Sequence, residues 1–258
     1  MVSDMKQYQK GFEIKNQAKD NMEGKYSGAI RIFLFSFLIS GFVRLSINSV
    51  CNATMNSVFV MTGSPDAART ISYVFDLLLF LANVILGVMN AGITLYFLKT
   101  ACGQPAFLRD LFYGFQTDSK KFLLVSGAMT LCQTLCLGPC QYIVQNYAET
   151  RDIKWIIYAL AALAAGLCVY IPISLGITLS FYLALDFPEK TGKETLALCW
   201  HVMKGQRMRL FLLELGFLPL MLLCILSFGI GFLWLQPYMQ MTHTCFFLDL
   251  MNPRKVSS

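Results

Sequence analysis

The sequence has 258 residues, of which 56% are hydrophobic and 14% charged, and its formal net charge is +6. Average soluble domains are about 45–50% apolar and about 25% charged, so this composition argues against a soluble domain and for lipid as the surrounding solvent. The positive charge does not indicate nucleic-acid binding, because the basic residues are confined between apolar stretches, as membrane orientation requires.

The apolar stretches predict an all-α, polytopic membrane helix bundle with six transmembrane helices in one domain, residues 1–258. Each stretch reaches the length of about 20 residues that a helix needs to cross a bilayer. The last two could form one run of about 40 residues, but that helix would be roughly 60 Å long, so Gly229-Ile230-Gly231 is predicted to turn the chain. The predicted spans are 29–50, 71–100, 122–147, 155–185, 210–228 and 232–250.

The basic residues predict the orientation of the bundle. With six spans, all but four of the 21 Lys and Arg residues fall on the side that carries both termini. The four exceptions are Arg44, Arg69, Arg151 and Lys154. Because cytoplasmic loops are enriched in Lys and Arg, both termini are expected in the cytoplasm.

Short amphipathic helices are predicted on the same side, at the membrane interface. Thr191 and Glu194 fit a capping box, and the apolar residues that follow recur at helical spacing with Trp200 among them. Residues 107–115 and 14–26 carry similar apolar stripes. These helices are interpreted either as covers for the cytoplasmic mouth of the bundle or as sites that dock a partner.

The spans also suggest a threefold repeat of helical hairpins. Gly92-Ile-Thr-Leu-Tyr-Phe97 closes the second span and Gly176-Ile-Thr-Leu-Ser-Phe181 closes the fourth. A glycine (Gly114, Gly205), a basic pair and Phe-Leu-Leu follow each of them. The units would be 1–100, 101–186 and 187–258, all entering from one side, and chance in an alphabet biased to Gly, Leu and Phe is the alternative.

The C-terminal third carries the pattern Asp186-Phe-Pro188, Met203-Lys-Gly205, Gly229-Ile-Gly231, Pro237-Tyr238 and Phe246-Phe-Leu-Asp249. This pattern resembles the uncharacterised integral-membrane family DUF975. The resemblance implies a multipass protein of the bacterial cytoplasmic membrane and implies no particular activity.

Charged and polar residues within the spans are the candidate functional residues, because such groups are costly in a bilayer. Arg44 and Asp76 are predicted at equal depth near the outer face, and Glu214 and Arg31 near the inner face. Each pair is interpreted either as a structural pin between helices or as part of a polar pathway. The candidate intramembrane residues are Arg31, Arg44, Asp76, Asn83, Asn90, Glu214 and His243.

Two functions remain open from the sequence. The first is a non-enzymatic membrane component or accessory subunit, with the lipid bilayer and an unidentified membrane protein as partners; it predicts a closed bundle without a polar cavity. The alternative is a transporter or channel for a small solute or lipid-like molecule, with a cavity lined by Asn83, Asn90, Glu214 or His243. No enzyme motif appears, and no cofactor or metal is expected, even at the cysteines Cys132, Cys136 and Cys140 that share one helix face.

Overall fold

A computed structural model describes residues 6–150, 153–252 and 254–255. Arg151, which the charge pattern predicts on the outer side, lies outside the described residues, as do the side chains of Lys6, Arg69, Arg254 and Lys255. The described part is dominated by α-helices, so the predicted all-α class is confirmed.

The first third of the chain contains a short helix followed by a long hairpin. Gly63 ends the outgoing helix with a left-handed backbone (φ 60°), and the Ser64 hydroxyl accepts a hydrogen bond from the Ala67 amide as the N-cap of the return helix. The return helix is interrupted at Val88. The elements are α1 (Gly11–Met22), α2 (Tyr26–Thr62), α3 (Pro65–Gly87) and α4 (Met89–Ala101).

The second third repeats this order. A 3₁₀ helix (Leu108–Phe112) and the single turn α5 (Tyr113–Gln116) precede a second long hairpin. Its return helix is interrupted near Thr178 and Leu179. The hairpin consists of α6 (Ser119–Thr150), α7 (Lys154–Ile177) and α8 (Ser180–Asp186).

The last third begins with the predicted capping box. The Thr191 amide donates to Glu194 Oε2 over 3.0 Å, and the Glu194 amide donates to Thr191 Oγ1 over 3.4 Å. The predicted turn at Gly229 is also confirmed, with a left-handed φ of 85°. The helices are α9 (Gly192–Val202), α10 (Arg207–Leu215), α11 (Leu218–Leu226) and α12 (Phe232–Met251).

Five helical segments of the described chain are long and apolar enough to cross a membrane: Tyr26–Thr62, Thr70–Ala101, Ser119–Cys140, Lys154–Asp186 and Arg207–Leu226. The sixth predicted span forms α12, which is helical over 20 residues but is not among the five. Its sequence includes Gln236, Gln240, His243 and Asp249, which lower its mean hydropathy.

The burial pattern explains this difference between α12 and the other long helices. Half of the α12 residues are buried, whereas only 6% of the apolar window of α2 is buried inside the protein. α12 packs against α1, α2, α4 and α11 in the centre of the bundle. A central helix can carry polar residues because its neighbours, and not lipid, surround it.

Large apolar side chains cover the outside of the long helices. Phe37 and Phe42 on α2 are both 74% exposed, whereas Phe97, Phe217 and Phe246 in the core are fully buried. Contiguous apolar surface of this extent is unusual for a soluble monomer and is the normal surface of a helix bundle in lipid.

The two ends of the described chain lie together. Strand β1 (Lys6–Gln7) pairs antiparallel with strand β2 (Arg254–Lys255), with Lys6 opposite Lys255. Just inside this pair, the Gln9 amide donates to both Asp249 carboxylate oxygens, over 3.2 and 3.3 Å. Arg209 forms an ion pair with Asp249 and donates to the Gln9 carbonyl oxygen over 2.7 Å.

Candidate solute cavity

A cavity of about 750 Å³ lies between the two long hairpins and α12. It follows α2 from Ser36 to Asn48, which corresponds to roughly 18 Å of helix. Hydroxyl and amide side chains make up much of its lining, although the outer faces of the same helices are apolar. The polar lining residues include Ser36, Ser40, Arg44, Asn48, Asn83, Asn90, Thr94, Ser126, Thr130, Gln133, Thr134, Tyr170, Ser174, Thr178, Tyr182, Gln240 and His243.

Helical periodicity places these residues on the cavity side. Ser36, Ser40, Arg44 and Asn48 recur every four residues along α2 and therefore lie on one face. α6 presents a similar stripe that begins at Ser126. A bundle of helices that each carry one polar stripe and one apolar face encloses the polar stripes and exposes the apolar faces to lipid.

The threonines of the lining satisfy their donor groups on their own helices. The Thr94 hydroxyl donates to the Asn90 carbonyl oxygen over 2.7 Å, and the Thr178 hydroxyl donates to the Ser174 carbonyl oxygen over 2.6 Å. Each hydroxyl oxygen keeps lone pairs that can accept a hydrogen bond from the cavity side. The stripe is therefore compatible with the bilayer and still able to bind a polar solute.

One wall of the cavity depends on close contact between α3 and α6. The Ser126 hydroxyl donates to the Val84 carbonyl oxygen over 2.8 Å. This approach requires a glycine at position 87, because a Cβ there would collide with Ser126 Oγ. The cross-helix hydrogen bond fixes the position of Ser126 at the wall.

Tyr182, Gln240 and Thr244 form a hydrogen-bond network between α8 and α12. The Tyr182 hydroxyl lies 2.9 Å from Thr244 Oγ1 and accepts a hydrogen bond from Gln240 Nε2 over 3.1 Å. The Tyr182 ring also stacks on Phe247, with ring centroids 5.1 Å apart. These contacts hold Tyr182 and Gln240 in fixed positions in the lining.

Two lining atoms have unmet hydrogen-bonding capacity. Asn83 Oδ1 and His243 Nε2 are buried and have no hydrogen-bond partner among the described residues. His243 Nε2 lies 3.4 Å from Glu214 Oε1, which is an ion-pair distance, but the geometry is not that of a hydrogen bond. An orphaned polar atom in a membrane bundle is costly unless another molecule binds it.

Comparison with known proteins identifies the family of the chain. The model of the family described as "Protein of unknown function (DUF975)" matches residues 5–254. The chain belongs to the DUF975 family. No curated protein and no solved structure matches the chain.

In this DUF975 protein, four of the candidate residues predicted from sequence line one cavity: Arg44, Asn83, Asn90 and His243. Glu214 does not line it but contacts His243 from α10. Asp76 and Arg31 are not among the described lining residues.

The ion pair expected between Arg44 and Asp76 is not among those of the described residues, so that pairing is wrong. The hairpin turns at Gly63–Ser64, which is 19 residues after Arg44 and 12 residues before Asp76. At about 1.5 Å per residue, the two residues therefore differ in level by roughly 10 Å. The prediction placed the turn too early because Asn52 and Asn56 interrupt the apolar run, although the helix continues to Thr62.

The pairing of Arg31 with Glu214 is also wrong. Arg31 Nε donates to the Ser27 carbonyl oxygen over 3.1 Å on its own helix, and Glu214 lies beside His243 instead. Equal depth in the membrane did not identify the partner, because α10 lies beside α7 and α1.

Sequence reasoning missed most of the cavity lining of the DUF975 chain. Serines and threonines were passed over because their hydroxyls are common in transmembrane helices and bond to their own backbone. The available signal was their spacing of four residues, as in Ser36–Ser40 on α2 and Ser126–Thr130–Thr134 on α6. The described residues contain no cluster of three His, Cys, Asp or Glu side chains that could hold a metal ion.

Proposed function

We propose that this DUF975 protein binds a small polar solute in the central cavity and moves it across the membrane. The observation that carries the proposal is the cavity of about 750 Å³, whose lining is rich in hydroxyl and amide groups while the outside of the bundle is apolar. Ligand sites in proteins typically have volumes of about 300–1,000 Å³. The alternative, a closed accessory bundle, predicted no polar cavity and is therefore less well supported.

The cost of polar groups in a bilayer supports a binding role for the stripe. A bundle that served only as a scaffold could fill its centre with apolar side chains at no loss of stability. Here Asn83 and His243 each retain a buried polar atom without a protein partner. A polar solute that donates to Asn83 Oδ1 would compensate for that cost.

The charges of the lining favour uncharged and anionic solutes. Arg44 and His243 are the basic residues among the described lining residues, and none of those residues is a carboxylate. A cation would meet the Arg44 guanidinium without a compensating acidic group, whereas an anion would neutralise it. The proposal includes no chemical step and no protein cofactor. The membrane-protein partner expected from the sequence remains a prediction.

We further infer that α12 is the sixth crossing and that both termini lie in the cytoplasm of a bacterial cell. The pairing of Lys6–Gln7 with Arg254–Lys255 supports an even number of crossings, because both chain ends then lie at one face. The basic residues concentrate at that face, which supports the cytoplasmic orientation. The short helices α1, α5 and α9 would lie at the inner interface.

Equivalent contacts support the threefold repeat as part of the proposal. A basic residue near the start of each outgoing helix bonds near the end of the return helix in its own unit: Lys25 to the Thr100 carbonyl oxygen, Lys121 to that of Ala184, and Arg209 to the Asp249 carboxylate. Aligning these contacts places Phe97, Phe181 and Phe246 at one position, and all three are buried. The same alignment makes Thr94, Thr178 and His243 equivalent, and all three line the cavity.

The glycine of the second repeat unit is not where the sequence pattern suggests. Gly24 and Gly205 have left-handed backbones, with φ of 71° and 87°, immediately before α2 and α10. In the second unit the left-handed residue before α6 is Asp118 (φ 30°), whereas Gly114 lies within α5 and packs against Val88 and Ala91. A repeat alignment that uses Asp118 is therefore better supported.

Solute binding tests the proposal directly. The purified protein would be screened in detergent by thermal unfolding against uncharged, anionic and cationic metabolites. We expect stabilisation by an uncharged or anionic compound, by about 2.7 kcal/mol when the compound is present at 100 times its dissociation constant. Proteoliposomes loaded with that compound would then report its flux.

Matched asparagine variants distinguish the cavity from other surfaces. Asn83→Leu should abolish the stabilisation and the flux, whereas Asn52→Leu, at an exposed α2 position that is not part of the lining, should leave both intact. Stabilisation that survives Asn83→Leu, or a panel in which only cations bind, would contradict the proposal.

A further inference from the structure

We propose that a second, separate pocket, formed by α9 and the start of α10, binds the phosphate group of an anionic phospholipid at the inner membrane surface. The inference does not depend on solute transport through the central cavity.

The pocket has a volume of about 500 Å³ and is basic. Its described lining contains an arginine, a lysine and a histidine but no carboxylate. The lining residues are Ala197, Trp200, His201, Lys204, Gly205 and Arg207.

Arg207 is held in position before any ligand binds. The guanidinium carbon lies 3.7 Å from the centre of the Trp200 ring, so the two planar groups are in close contact. Gly176 on α7 makes room for this pair, because a Cβ there would lie 2.6 Å from the Trp200 ring and 3.3 Å from Arg207 Nη2. A fixed, planar guanidinium presents its donors in the geometry that phosphate oxygens require.

The Arg207 charge has no acidic partner in the described part of the chain. Its Nε is buried without a hydrogen-bond partner there. Other semi-buried cations are compensated: Arg209 pairs with Asp249, and Lys99 lies 2.9 Å from Asp110. We infer that the counter-charge for Arg207 comes from outside the chain, because a partly buried cation without one is unfavourable.

A sharp turn brings the other basic residues to Arg207. α9 ends at Val202, and Gly205 adopts a left-handed backbone with φ of 87° before α10 begins. The turn places Lys204 and His201, both exposed, on the rim of the same pocket. A phosphate there would be contacted by Arg207 from within and by two flexible or titratable side chains from the rim.

The position of the pocket favours a lipid headgroup as the source of the phosphate. Arg207 is the first residue of the apolar segment Arg207–Leu226, so the pocket lies at one end of a candidate span, where headgroups are found. Trp200 is 44% exposed, and tryptophan is enriched at that level of the bilayer. Basic pockets at the cytoplasmic ends of spans are suited to anionic headgroups.

The test is lipid retention by the full-length protein. Protein purified in detergent would be mixed with equal amounts of phosphatidylglycerol and phosphatidylcholine, and bound lipid would be counted by native mass spectrometry. We expect a preference for phosphatidylglycerol that falls by roughly tenfold in the Lys204→Gln/Arg207→Gln variant, because charge-assisted contacts to phosphate are among the strongest hydrogen bonds. Lys190→Gln/Lys193→Gln removes the same charge near the start of α9, outside the pocket, and should keep the preference.

Further arms separate the lipid from its alternatives. Lys204→Gln alone, at an exposed position, should lower the preference even if the double variant fails to fold. Arg207→Lys should retain less phosphatidylglycerol than the wild type, because lysine lacks the planar fork. An equal loss in the Lys190/Lys193 control would overturn the pocket as the site. Displacement of phosphatidylglycerol by millimolar inorganic phosphate, with phosphate bound in its place, would overturn the lipid as the ligand.

Discussion

His243 on α12 and Glu214 on α10 approach to 3.4 Å, measured from Nε2 to Oε1, and the same imidazole lines the solute cavity. Glu214 is therefore within reach of the cavity through His243, although it does not line the cavity itself. The contact joins α10 to the central helix, and it is ionic only when the imidazole is protonated.

A double-mutant cycle should reveal coupling between these two residues. We expect His243→Gln and Glu214→Gln to be non-additive, with a coupling free energy of about 0.5–3 kcal/mol, since residues in direct contact typically couple to that extent. The coupling should be larger in acidic than in alkaline buffer, because protonation gives the imidazole the charge that Glu214 attracts. Denaturant unfolding in mixed micelles would measure it. Additive effects in both buffers would argue that the two side chains do not interact.

Lys121 should be a structural residue that Lys120 is not. Lys121 is buried and its Nζ donates to the carbonyl oxygens of Ala184 and Phe187, over 2.8 and 2.6 Å, at the end of α8. Lys121→Met leaves both carbonyl groups without this partner and should lower the free energy of unfolding by about 1.5–3 kcal/mol, the range for hydrogen bonds to charged groups. The exposed neighbour variant Lys120→Met should change it by less than about 0.5 kcal/mol. Equal effects in thermal unfolding would contradict this assignment.

The positions of most helices could be predicted from the sequence because hydropathy and capping are local. Thr191 and Glu194 marked the start of α9, and Gly229 marked the turn before α12. Helix ends within polar sequence were less accessible. Nothing in the apolar pattern showed that α2 continues past Asn52 to Thr62, and the pairing of Arg44 with Asp76 was wrong for that reason.

The candidate site was predictable only as far as single residues reveal it. Asn83, Asn90 and His243 stood out because such side chains are costly in lipid, and they do line one cavity. Which residues meet across helices depends on how the hairpins pack, and that is decided by many weak contacts distant in sequence. The partnership of His243 with Glu214 is an example, since 29 positions and a reversal of the chain at Gly229 separate the two residues.

Gly92 should be sensitive to the smallest substitution. A Cβ at this position would collide with the Leu111 carbonyl oxygen, because the 3₁₀ helix packs directly on α4. Gly92→Ala should therefore destabilise the protein by about 1–3 kcal/mol, the usual cost of overpacking. Gly41→Ala is the matched control: it lies inside α2 with no heavy atom within 4 Å of the new Cβ. We expect it to be neutral or slightly stabilising, because alanine favours helix more than glycine does.

Asp249 should hold the N-terminal segment on the bundle. Its side chain is 2% exposed, pairs with Arg209 and accepts hydrogen bonds from the Gln9 amide. Asp249→Asn leaves the partly buried Arg209 charge uncompensated, for which a cost of about 3–5 kcal/mol is typical. Limited proteolysis should then cleave near α1 faster than in the wild type. The exposed Asp20→Asn control should cleave at the wild-type rate, and protection that persists in Asp249→Asn would argue against this role.

The cap of α9 should weaken in acid. Hydrogen bonds from the Thr191 amide and side chain hold the pKa of the Glu194 carboxyl below its usual value. A lowered pKa in the folded state means that Glu194 favours folding above the ordinary glutamate value of about 4.3 and that this contribution is lost as the pH falls through the folded pKa. Thr191→Ala should return the pKa towards its usual value and destabilise the helix by about 0.5–2 kcal/mol. A carboxyl-carbon NMR titration of Glu194 would measure the first effect and hydrogen exchange of the α9 amides the second. An unchanged titration in Thr191→Ala would show that the capping box does not set the Glu194 pKa.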